Sequence, residues 1–265
     1  GVACFIKAIR LAQFSDPLLK TKIPFLVGII CGGVKSSFFT DYLSNKSGVE
    51  NKQYTDPNYR IKNFDSSAGD YSFGSTSLIT REKSFIKMRD VGDMWGTGLF
   101  KANACDFCDD VTTELADISI GDAWLRPFVE DGRGDNVLVT RSKLAEKIIK
   151  EGIRNKVLKL EYLPSDQFLL SQKGSFNHRQ KGLPYRVRRA NSKGKLTPPK
   201  RVLIDESSFF FKLVQFFRLK TRQQSLVLWE KNPESRTFDV KIKTLISLLK
   251  FATRLNHKMN ALKTK

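Results

Sequence analysis

The sequence contains no apolar stretch able to cross a bilayer, which takes about 20 residues; its longest, residues 23–31, is far shorter. No apolar signal peptide opens it either, so nothing marks the chain for secretion. It starts at Gly1 rather than Met, which implies a further N-terminal segment. A Gly-x-x-x-x-Gly-Lys-Ser/Thr run is missing, removing nucleotide hydrolysis by that route. Histidine is scarce: His178 and His257 are the only two, both in basic polar surroundings, so a histidine-centred hydrolytic triad has little support. Cysteine is limited to Cys4, Cys31, Cys105 and Cys108. In a 265-residue chain without a secretion signal these read as thiols or ligands in a reducing, cytoplasmic compartment, not as disulfides.

Acidic residues are outnumbered, 27 against 46 Lys and Arg, and the surplus of +19 is uneven. Residues 181–265 hold 21 basic and 5 acidic side chains, or +16, which leaves +3 for residues 1–180. A patch of this kind favours polyanions or an acidic partner, here an anionic membrane surface at the inner face before nucleic acid, and its duller reading is a solvated basic face. With 40% hydrophobic and 28% charged residues the chain is of ordinary globular composition. At roughly 150 residues per domain it makes one large or two small domains. We divide it into an α/β domain at 1–180 and a basic linker with a helical tail at 181–265.

Periodicity orders the first part. Residues 4–13 carry Phe5, Ile6, Ile9 and Ala12 at helical spacing. Residues 23–31 are continuously apolar, as in a strand buried on both faces, and end in Cys31-Gly32-Gly33. Residues 36–43 predict a helix with Ser36 as N-cap. Helix, strand, glycine turn, helix is an order that places Cys4 at a helix N-terminus and Cys31 at a strand's carboxyl end, where ligands gather in open α/β sheets. Short strands at 59–64, 70–75 and 77–80, separated by Asn, Asp, Gly and Ser, predict an antiparallel β insertion. Strands at 116–120 and 136–140 and a helix at 143–153 complete a mixed sheet with flanking helices. Beyond a basic, Pro-containing linker, residues 208–219 and 241–255 carry apolar stripes, which suit core contacts or an interfacial basic helix.

Cys105-Asp106-Phe107-Cys108 lets two thiolates converge on one metal or cluster, yet alone a Cys-x-x-Cys also fits redox pairs and zinc. Its surroundings narrow the choice. Gly1-Val2-Ala3-Cys4 through Arg10, Ile30-Cys31-Gly32-Gly33-Val34-Lys35-Ser36, Ala104-Cys105 through Cys108, and Ala116-Asp117-Ile118-Ser119-Ile120-Gly121-Asp122-Ala123-Trp124 occur in order. Together they resemble the coenzyme F420 hydrogenase/dehydrogenase beta-subunit family, over roughly residues 1–155. The resemblance implies a mixed α/β flavoprotein that binds FAD and a 4Fe-4S cluster and exchanges electrons with coenzyme F420 or another acceptor. It further implies a redox partner protein or small-molecule acceptor, an oligomer, and a possible link to polysaccharide biosynthesis. All four cysteines fall on family cysteines, the usual complement of such a cluster.

Three departures stand out: Ala3 and Lys35 replace prolines of the pattern, and Gly32 replaces its histidine. Asp122 could position a flavin ribose or ring edge, and Trp124 could pack beside the ring system; their duller readings are a turn Asp and a core Trp. The rival reading of the whole chain is a non-enzymatic, zinc-stabilised protein that binds polyanions or a membrane surface through residues 181–265.

Overall fold

The computed structural model describes residues 1–201 and 207–263. Helix α1 (Ala3–Ser15) and the short α2 (Leu18–Lys22) lead into strand β1 (Val27–Ile29), and α3 (Ser37–Lys46) follows. The insertion comprises β2 (Tyr54–Lys62), β3 (Tyr71–Ser77) and β4 (Lys83–Lys87), then two single-turn helices, α4 (Met88–Val91) and α5 (Met94–Thr97). A 3-10 turn over Asn103–Phe107 precedes β5 (Ile118–Asp122), β6 (Asn136–Thr140) and α6 (Lys143–Arg154). The rest is helical: α7 (Ser165–Ser171), α8 (Lys173–Phe176), a π turn at Asn177–Lys181, α9 (Leu183–Asn191), α10 (Phe209–Lys231) and α11 (Ser235–Lys263).

Two three-stranded sheets result. In the first, of order β1-β5-β6, β1 runs parallel to β5 with Gly28 opposite Ser119, and β6 is antiparallel to β5. In the second, β2-β3-β4 form an antiparallel meander. This is the mixed α/β fold with a β insertion and C-terminal helices.

Several elements differ in extent from what periodicity suggests. The strand predicted over 23–31 shrinks to three residues, because β1 is an edge strand with Val27 46% and Ile29 54% exposed, and Pro24 has no N–H to give to a ladder. Only Gly28 faces inward, where a Cβ would stand 2.5 Å from Thr113 Cγ2. Ser77 ends β3 and residues 78–80 form a turn instead of a strand, since Ser77 Oγ accepts the N–H groups of Ile79 and Thr80, and the third strand moves to Lys83–Lys87. Ser36 stands at the N-cap of α3 without a capping bond from its hydroxyl. Leu183–Asn191, read as linker, is a helix that starts with Pro184 in its first turn and buries Leu183, Val187 and Ala190.

The main core joins both parts of the chain. Phe39, Tyr42 and Leu43 of α3 and Phe73 of β3 pack with Phe100, Trp229 of α10, and Phe238 and Ile242 of α11. Rings meet edge-on, Tyr42 and Trp229 at 5.5 Å, or stacked, Phe100 and Phe238 at 5.0 Å. Tyr42 donates its hydroxyl to Asp239 at 2.7 Å, tying α3 to α11. Much of the apolar stripes of the last two helices is therefore packed inward, through Phe211, Val214, Ile242, Leu249 and Ala252, while Phe209 and Phe251 stay exposed.

Candidate functional site

Backbone pairing brings the cysteine-bearing segments to one end of β1. Val2 bridges Ile29 in parallel, and Gly1 N donates to Val27 O at 2.7 Å. The first turn of α1, with an exposed Cys4, is thereby carried beside the end of β1, which leads to Cys31. Past Cys31 the chain turns through Gly33, whose φ of +121° is a conformation other residues adopt only under strain. A Cβ there would also meet Lys101 Cδ at 3.4 Å and Cys105 Cβ at 3.9 Å. The turn aims two N–H groups at sulfur: Gly33 donates to Cys31 Sγ and Val34 to Cys105 Sγ, both at 3.3 Å.

Val34 to Ser36 then pairs with the segment before the Cys-x-x-Cys, through Ala102 N to Val34 O at 2.9 Å and Ser36 N to Phe100 O at 2.8 Å. Cys108 donates its thiol to Asp110 O at 3.6 Å, and Arg179 Nη1 lies 3.4 Å from its sulfur. Burial pushes the Cys108 thiol up, and the Arg179 charge pulls it back. Cys31 and Cys105 are thus linked through one turn and half-buried, as is Cys108, while Cys4 is exposed in the first turn of α1. Among the described residues no three His, Cys, Asp or Glu side chains are close enough to share a metal ion as they are placed. The donor set nonetheless suits a cluster: four thiols, with N–H groups and a guanidinium on three of the sulfurs.

A cavity of about 450 Å³ opens directly beyond the turn. Its walls include Lys35, Ser36 and Phe39, Tyr59 and Tyr71 from the β insertion, and Trp95 of α5. Phe39 and Tyr59 lie nearly parallel, 11° apart with centroids at 6.2 Å. Lys35 Nζ donates to Met94 O at 2.6 Å and Leu99 O at 2.5 Å, and sits 4.8 Å from the Trp95 ring centre. Burial, then the charge of Lys101, pushes the Lys35 amine down to about 7.

Asp122 and Trp124 stand one layer back from this cavity. Asp122 ends β5, and its carboxylate accepts from Arg60 Nη1 at 2.8 Å. The Arg60 guanidinium lies 5.3 Å from the Tyr71 ring and 5.8 Å from that of Trp124, so both residues reach the cavity wall through Arg60. Trp124 is 45% exposed. Reasoning from sequence misses Lys35 as a lining residue, although its departure from the family pattern is a signal. It also misses Tyr59, Tyr71 and Trp95, which carry none, because strands of the insertion and α5 meet α3 only in the folded chain.

Fold and site together define a mixed α/β protein with a thiol-bearing turn set against an aromatic cavity, a layout suited to redox chemistry. The chain belongs to the family formed by the C-terminal part of the coenzyme F420 hydrogenase/dehydrogenase beta subunit, whose model matches residues 1–166. It is accordingly a redox protein of the hydrogenase/dehydrogenase beta-subunit kind, in the oxidoreductase and electron-transfer class, with F420-related chemistry in its family name. A beta subunit works within a larger redox assembly, which fits a protein partner. The comparison with curated proteins finds no relative that matches. No helix among the described residues is long and apolar enough to cross a membrane.

Proposed function

We propose that Cys4, Cys31, Cys105 and Cys108 hold a 4Fe-4S cluster, and that the cavity beside them takes the flat ring of FAD or of coenzyme F420. The chain would then be a flavin and iron-sulfur oxidoreductase that passes electrons between a ring carrier and a redox partner. The observation that carries this reading is the single turn shared by the two sites: Val34 donates to the Cys105 sulfur and Lys35, next in sequence, lines the cavity. A bound cluster supplies one-electron transfer beside the two-electron chemistry of the ring.

The protein's share is placement. Phe39, Tyr59, Tyr71 and Trp95 offer ring faces that keep water from a planar ligand, and Lys35 holds a cation or a proton at Nζ on that wall. Asp122 and Trp124 would set the wall's position through Arg60. In this reading residues 1–180 form the redox unit and residues 181–265 brace it. A cytoplasmic setting, contact with an anionic surface through the basic segment, and an acceptor tied to polysaccharide biosynthesis belong to the same proposal.

The test is anaerobic reconstitution followed by analysis of iron, sulfide, zinc and flavin. About four irons and four sulfides per chain are expected, and replacing any one of the four cysteines by Ser should strip most of the iron. Stoichiometric zinc without iron would favour the zinc-stabilised reading instead.

A further inference from the structure

Beneath the Cys105 to Cys108 turn lies a buried polar layer supplied largely by residues past the family match. Asp106, 3% exposed, is buried among cations; its Oδ1 lies 2.5 Å from Lys101 Nζ and its Oδ2 pairs with Arg222 Nε. Arg186, 2% exposed, donates to Asp106 O, to His178 O and to Gln215 Oε1, each at 2.7 Å. Arg179, 3% exposed, donates to Asp110 O at 2.6 Å beside its approach to the Cys108 sulfur. Arg218 lines the same small void as Lys101, Arg186 and Arg222.

The charges in this layer do not balance. Lys101, Arg179, Arg186, Arg218 and Arg222 are five cations, and Asp106 is the one carboxylate paired with any of them among the described residues. Asp93 acts on Arg218 only through space. His178, whose Nε2 lies 2.7 Å from Lys101 Nζ, supplies no negative charge: burial and the surrounding cations hold its pKa well below the ordinary value and keep it neutral. Unpaired buried charge is strongly destabilising, and hydrogen bonds to carbonyls relieve only part of it. A structure that keeps several such charges against one turn is arranged for an anion on the turn's other side.

We propose that Arg179 and Arg186, with the cations behind them, are the counter-charge for an anionic group held by the four cysteines. On this view residues beyond the family match set how tightly the group is held and at what potential it is reduced. The inference rests on the cluster reading above, since a cluster ligated by four thiolates is net negative and grows more so on reduction. Positive charge next to it favours the reduced form and raises its potential. Arg179 and Arg186 are positioning residues in this account, acting on the cluster through the Cys-x-x-Cys turn.

The experiment compares the full chain with Arg179→Gln, Arg179→Lys and Arg186→Gln after anaerobic reconstitution, reading iron and sulfide per chain and the midpoint potential from a dye-mediated titration followed by absorption. Both Gln variants should shift to more negative potential and release iron several-fold faster to a chelator, while Arg179→Lys, which keeps the charge, stays nearest the wild type. Loaded Gln variants with wild-type potentials would overturn the counter-charge role and leave the cluster reading standing. Wild-type protein without iron and sulfide would overturn both. If Arg186→Gln fails to fold, the Arg179 pair decides, because Gln and Lys there differ in charge while each keeps a donor.

Discussion

Lys35 shows how one residue can carry a pH signature for the whole fold. Its amine titrates near 7 in place of 10.5 because burial and the neighbouring charge of Lys101 disfavour the ammonium. Between those values the unfolded chain holds a proton that the folded chain has lost, so stability rises with pH across the window, by up to about 1.4 kcal/mol per pH unit. Below about 7 both states are protonated and this slope vanishes. Lys101, pushed down to about 8 by burial against the pull of Asp106, adds a similar slope higher in the same window. Lys35→Met should flatten the lower part of the slope, as urea unfolding at a series of pH values would show; an unchanged slope would mean that the folded Lys35 stays charged. Trp95, 47% exposed, contributes a cavity wall more than a core contact. Trp95→Ala should therefore weaken flavin binding about tenfold, or about 1.4 kcal/mol, and leave the denaturation midpoint nearly where it was. Loss of stability with unchanged flavin affinity would return Trp95 to a packing role.

At the scale of elements, α10 and α11 decide whether α3 can present the cysteine turn and the cavity at all. Trp229 is 1% exposed among Tyr42, Phe100 and Phe238, so Trp229→Ala leaves a void at the junction of three helices. A loss of roughly 3–5 kcal/mol is expected, measured as a fall in the urea midpoint at constant slope. The stripes of both helices were legible in the sequence, and so was helix formation. Their partners were not, since Tyr42 and Trp229 are far apart in the chain and nothing local pairs them. The reverse holds for α6, where Ser142 caps the helix through Ala145 N at 3.2 Å, so that local chemistry alone set its start.

For the molecule as a whole, the cysteines come from the start of α1, the end of β1 and the turn before β5, segments that an unfolded chain keeps apart. A group bound to all four binds the folded state alone, and should raise the melting temperature of the reconstituted protein above that of the metal-free chain. The same addition to a chain with all four cysteines changed to Ser should leave it unmoved. The +16 of residues 181–265 is not all surface charge. Arg186 and Arg222 lie inside, under the thiol turn, while Lys241, Lys243, Lys250 and Arg254 of α11 stay exposed and free to meet an acidic partner. Only that second group should make association salt-sensitive, because buried pairs are poorly screened.

Chemistry-bearing spacings and local periodicity were determined by the sequence alone: the four cysteines, the glycine turn after Cys31, the helix with Cys4 in its first turn, the strands around Asp122 and the family they resemble. Each depends on neighbours within a few residues, or on a motif whose order survives in one dimension. Tertiary structure decided the rest: the cavity walled by Tyr59, Tyr71 and Trp95, the depressed amine of Lys35, and the turning of Arg179 and Arg186 inward to Cys108 and Asp106. Burial and field at a point are sums over groups brought together from across the chain, and charge counted along the sequence does not reveal which side of the surface it ends on.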